Sequence, residues 1–78
     1  MTRYFFDILA GGEIVADEEG MNLPDLQAAV REATDSLADL ARHPVRSEDF
    51  QRLAISVRTL DGPVFKAASP WRGTLLLH

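Results

Sequence analysis

Residues 24–42, PDLQAAVREATDSLADLAR, decide how the rest of this chain folds. At ~100° per residue, Leu26, Ala29, Val30, Ala33, Leu37, Leu40 and Ala41 fall in one stripe about a third of the circumference wide. Gln27, Arg31, Glu32, Asp35, Asp39 and Arg42 take the opposite side. The pattern predicts one amphipathic helix. Pro24 suits its first turn, where a missing N–H costs nothing, and Asp25 suits the positive end of the dipole. Asn22 is the expected N-cap. Pro44 stops the run, with Arg42 and His43 placed to meet the last carbonyls. An isolated helix of this length is marginal in water, so the apolar stripe has to dock on a sheet to persist.

Strands lie on both sides of it. Tyr4 to Leu9 (YFFDIL) is rich in aromatic and branched side chains and too short for a buried helix. Alternation puts Tyr4, Phe6 and Ile8 on one face and Phe5, Asp7 and Leu9 on the other. The first set is assigned inward because the second contains a carboxylate. Gly11-Gly12 supplies the positive φ angles of a two-residue hairpin turn into Glu13–Ala16, with Ile8 facing Val15 and Leu9 facing Ile14. Asp17-Glu18-Glu19-Gly20 reads as a turn, and Met21-Asn22-Leu23 as the lead into the helix.

Downstream, Val45 to Gln51 is a polar connection anchored by Phe50. Arg52 to Leu60 is a strand with Leu53, Ile55, Val57 and Thr59 on one face. Asp61-Gly62 is a hairpin signal. A bulge at Gly62 turns Phe65 and Ala67 inward, whereas a strict two-residue loop at that dipeptide would bury Lys66 unpaired. Pro63 suits an edge or a strand start. Pro70 to Gly73 reads as a turn, and Thr74 to Leu77 as a fifth short strand or an ordered tail. The order β-β-α-β-β gives an α+β fold, a four-stranded antiparallel sheet with one helix across one face. The domain spans residues 1–68, and residues 69–78 form a tail or short extra strand. Strand order stays open at this level.

With 78 residues the chain suffices for one domain and buries only about 60–65% of its unfolded surface. It has no cysteine, so neither a disulfide framework nor a thiolate metal site supports it. Eight basic residues against twelve acidic ones give a net charge of -4, the opposite of the balance expected for holding a phosphate backbone. No apolar run approaches the ~18 residues of a membrane span, and the opening is a poor signal peptide. These features predict a cytoplasmic protein with no membrane partner.

Catalytic and metal chemistry find little purchase. The acidic turn lacks the alternating carboxylates and closing Glu of a calcium loop. His43 and His78 are too few and too far apart for zinc. Ser36, Ser47, Ser56 and Ser69 have no nucleophile elbow and no base at a recognisable spacing. Asp35 and Asp39, one helical turn apart, sit in the polar face and read as solvated. Gly11-Gly12 lacks the following Lys of a phosphate loop. The sequence predicts no enzyme, no cofactor and no metal.

Two surfaces remain. Phe5, Leu9 and Ile14 fall on the sheet face away from the helix, and Trp71 with Leu75-Leu76-Leu77 has no evident place in a core filled by one helix. So much large apolar area marks a partner, which makes Phe5, Leu9, Ile14 and Trp71 a candidate interface for a homodimer or another protein. The bland alternative is that the C-terminal segment folds back over that face. The rival class is a nucleic-acid-associated regulator using Arg46, Arg52 and Arg58, since a sheet carrying Arg and aromatics can hold single strands by stacking and phosphate contact.

RYFFDI at residues 3–8, the glycine turn, DEEG at residues 17–20, LPDLQAAVREA at residues 23–33 and AISVRTLDGPVF at residues 54–65 together resemble a family of short bacterial proteins known as a domain of unknown function. The resemblance spans about residues 3–67 and implies a single intracellular β-β-α-β-β domain. It brings no catalytic residue, cofactor or partner with it. A similarity to small antitoxin-type domains of the HicB kind is one of architecture, which does not fix function.

Overall fold

In the computed structural model, which describes residues 1–42, 53–68 and 72–75, the Gly11-Gly12 pair has φ angles of 58° and 91°. These are the positive values a tight hairpin turn between twisted strands requires. The turn joins β1 (Thr2–Ala10) to β2 (Glu13–Val15) with Ile8 opposite Val15 and Leu9 opposite Ile14, the register alternation predicts. Met21-Asn22-Leu23 is more than a lead into the helix. It is a further strand, β3 (Met21–Leu23), antiparallel to the start of β1 with Thr2 opposite Leu23 and Tyr4 opposite Met21. β1 is nine residues long, so one edge accommodates β2 at its end and β3 at its beginning.

The helix α1 (Leu26–Arg42) begins two residues later than expected, and its cap is Asp25 rather than Asn22. The Asp25 carboxylate accepts the Ala28 N–H at 2.9 Å, satisfying one of the donors left open in the first turn. Asn22 is occupied in β3. Ala29, Ala33 and Leu37 are buried along the stripe, and the two alanines let the helix axis come close to the sheet. It lies over β4 (Ala54–Thr59) and β5 (Gly62–Ala68), with its start against β3. The core they share holds Tyr4, Leu53, Ile55, Val57, Phe65 and Ala67, so both inward faces are as predicted.

Phe65 opposes Val57 and Ala67 opposes Ile55, which leaves Lys66 outward beside Ser56. A bulge therefore sets this parity, but its place differs from the expected one. The turn is Leu60-Asp61, closed by Thr59 and Gly62, and the extra residue is Val64, opposite the step from Val57 to Arg58. β6 (Arg72–Leu75) pairs with β5 and widens the sheet instead of folding over its outer face. The sheet order is β2-β1-β4-β5-β6, with β3 also on β1, and every pairing is antiparallel. The class is α+β with six strands rather than four. One is β3, whose three residues are too short to show a period in the sequence; the other is β6, which takes up the fifth short strand offered for Thr74 to Leu77 and begins at Arg72.

Candidate functional site

β2 pairs with residues 8–10 of β1 and β3 with residues 2–4, so the same edge is open at residues 5–7. The acidic turn fills that opening. One Asp17 oxygen, Oδ2, accepts the Phe6 N–H at 3.1 Å, in the place of a missing ladder partner. The other, Oδ1, accepts the N–H groups of Glu19 and Gly20, both at 3.1 Å. The Asp17 N–H donates to Asp7 Oδ1 at 2.9 Å. The Gly20 N–H, foremost, holds the Asp17 carboxyl below the usual aspartate range; the Phe6 and Glu19 N–H groups and the Arg58 charge add to this, against an upward push from burial.

Arg58 closes the arrangement from β4. Its Nε donates to Asp7 Oδ2 at 2.8 Å, its Nη2 to the Asp17 carbonyl at 3.0 Å, and its guanidinium lies 4.5 Å from the centroid of the Phe5 ring. Arg3 donates to the Glu19 carbonyl. Gly20 has φ of 76°, and a Cβ there would stand 2.9 Å from both Arg3 Cγ and Phe5 Cε2. Only glycine meets both demands, the backbone angle and the close approach.

This geometry corrects the expected exposure of one residue and gives another a role within the fold. Phe5, expected as an exposed interface residue, is only 8% exposed because Gly20 and Arg58 cover its ring. Arg58, expected as a nucleic-acid contact, has its guanidinium committed to Asp7, Asp17 and Phe5. Arg46, Arg52 and Trp71 lie outside the described residues, as do His43, Phe50 and His78. Leu9 is half-buried, and Ile14 is 69% exposed. Among the described residues no group of three or more His, Asp or Glu is placed to hold a metal ion. No helix among them is long and apolar enough to cross a membrane.

Sequence reasoning missed the network because its members are far apart in the chain, Asp7 and Arg58 by 51 residues. One signal was available: Asp7 is a lone carboxylate in an apolar strand, and it shares an outer face with an arginine once the strands are set side by side.

The end of the sheet offers the other surface. Ile14 points to the outer face and Val15 to the helix side, at 69% and 62% exposure. Ala10 and Glu13 close the two-residue turn as a hydrogen-bonded pair, so Leu9 and Ile14 form the following non-bonded pair. The N–H and C=O of Ile14 therefore point away from β1, along the free edge, where no described residue meets them. On the helix side two adjoining hollows share Phe6 and Ile8 as a floor. One, of about 470 Å³, is walled by Val15 and the acidic turn; the other, of about 250 Å³, by Ser36, Asp39 and Leu40 of α1 and by Ile55.

A family model spans residues 3–68, most of the chain. The chain belongs to the DUF6894 family, a domain of unknown function. Comparison with curated proteins and with solved structures gives no match. Every described residue of the network lies within the DUF6894 region. The segments RYFFDI, DEEG and VRTLDG, which carry the resemblance seen in the sequence, supply Arg3, Phe5, Asp7, Asp17, Gly20 and Arg58. In this DUF6894 domain those segments clamp a turn to a sheet edge, with Asp7, Asp17 and Arg58 bound to one another and to the turn.

Proposed function

We propose that this domain is a non-catalytic protein-binding module that self-associates through the free edge of β2. The carrying observation is Ile14, which presents an exposed branched side chain and a free backbone donor and acceptor on one terminal strand. Such an edge is a template for strand addition by another chain. Two copies related by a two-fold axis would place Ile14 opposite Ile14, exchange two backbone hydrogen bonds and continue the sheet from one protomer into the next. Leu9 flanks the contact on the same face. The non-catalytic part of the reading is supported by the fate of the outer-face charges: Asp7, Asp17 and Arg58 satisfy one another and the turn.

β2 has only three residues, so the interface is small and the dimer weak. Light scattering therefore has to extend to about 1 mM protein. The wild type should rise toward dimer mass over that range, while Ile14→Lys, at an exposed position, stays a folded monomer by circular dichroism. A wild type that remains monomeric throughout, or an equal rise in the variant, overturns the proposal.

A further inference from the structure

The two hollows on the helix side form a groove whose floor is apolar, from Phe6, Ile8 and Ile55, and whose outer wall ends in Glu18 and Glu19. Both glutamates are exposed, and neither side chain is paired among the described residues; the turn uses only the backbone of Glu19. Across the groove Asp39 adds a carboxylate that already has an interaction of its own. Among the described residues no Lys or Arg lines either hollow. The helix is seated over β4 and β5, which leaves the β1 side of the same sheet face only partly covered.

Apolar floor and acidic rim together define the occupant. From this charge complementarity we infer that the groove binds a basic amphipathic segment of another protein, with apolar side chains over Phe6 and Ile8 and Lys or Arg ends reaching Glu18 and Glu19. Long basic side chains suit such a rim because their stems cover apolar surface while the charge stays at the acid. A net charge of -4 favours the encounter and makes it sensitive to salt. The inference rests on the reading of the domain as a protein-binding module, but it uses the opposite face from Ile14 and a different ligand.

The test uses three fluorescent peptides of equal length with the full chain. One carries Lys and Leu at helical spacing, one replaces each Lys by Glu, and one replaces each Leu by Gln. The Lys–Leu peptide should bind at about 0.01 M salt and weaken strongly toward about 1 M, where charges are screened. The other two should not bind. The double variant Glu18→Lys/Glu19→Lys should lose about tenfold in affinity, and Val15→Asp, at the groove wall, a similar factor. Ile14→Lys should bind as the wild type does, which separates this site from the self-association edge. Equal binding of the Glu–Leu peptide, or binding that ignores the groove variants, overturns the assignment. Failure here with an Ile14-dependent dimer intact refutes the groove alone; failure of both refutes the protein-binding reading.

Discussion

Asp17→Asn removes a charge and one acceptor while keeping size and shape, and the hydrogen bonds around the carboxylate set the cost. Asn retains an oxygen for the Glu19 and Gly20 N–H groups, but its NH₂ then faces the Phe6 N–H, donor against donor. Flipping the amide reverses the loss and orphans two donors instead of one. Leaving one part-buried N–H unsatisfied costs about 1–3 kcal/mol, and the remaining two bonds lose their charge assistance. Water can reach the sheet edge and offsets part of this, so the expected loss is about 2 kcal/mol. For a domain of this size that lowers Tm by roughly 8–16 °C.

The pH dependence is a second, independent readout. Asp17 titrates lower in the folded chain than in the unfolded one, so between those two values the unfolded state binds more protons and stability rises with pH. Its contribution is full above the unfolded aspartate value, about 3.9, and disappears as pH falls through the lower folded value. Urea unfolding followed by circular dichroism should show a constant gap between wild type and Asp17→Asn near neutrality. That gap should close below about pH 4. The Phe6 amide should also exchange faster in the variant. A loss under about 0.5 kcal/mol at neutral pH, within the range of an ordinary surface substitution, would refute the role given to this carboxylate.

Other substitutions probe separate parts of the fold. Gly20→Ala forces a side chain into a positive-φ position and against Phe5 and Arg3, and should cost about 2–4 kcal/mol by urea unfolding. Arg58→Lys should cost about 1–2 kcal/mol, since an ammonium cannot reproduce the fork that serves Asp7 and Asp17 together. Its random-oligonucleotide binding at low salt should equal that of the wild type, because Arg58 is committed within the fold. Asp25→Ala removes the cap of α1 and should cost about 1 kcal/mol, measured the same way.

How much of this was legible in the sequence depends on the range of the interaction. The helix, the glycine hairpin and both inward faces come from periodicity and turn chemistry, which are local. The parity of Phe65 and Ala67 was readable because burying Lys66 would be costly, yet the bulge itself moved from Gly62 to Val64, since parity fixes that one residue is extra and not which one. β3 escaped because three residues show no period and its pairing depends on a free stretch of β1. The burial of Phe5 escaped for a different reason. Strand alternation assigns it to the outer face correctly, but its cover comes from the 17–20 turn and Arg58, whose approach depends on where the strands come to lie. Of the proposed interface, Ile14 kept its exposure because it sits on the terminal strand.

The proposed meeting of two copies depends on the β2 edge, and the Ile14 amide reports on it directly. Hydrogen exchange at Ile14 should be fast in dilute protein, where its N–H faces solvent, and slow progressively as concentration rises to about 1 mM, while Phe6 stays protected throughout. Exchange at Ile14 that does not change with concentration would contradict self-association through this strand, whatever the solution mass shows.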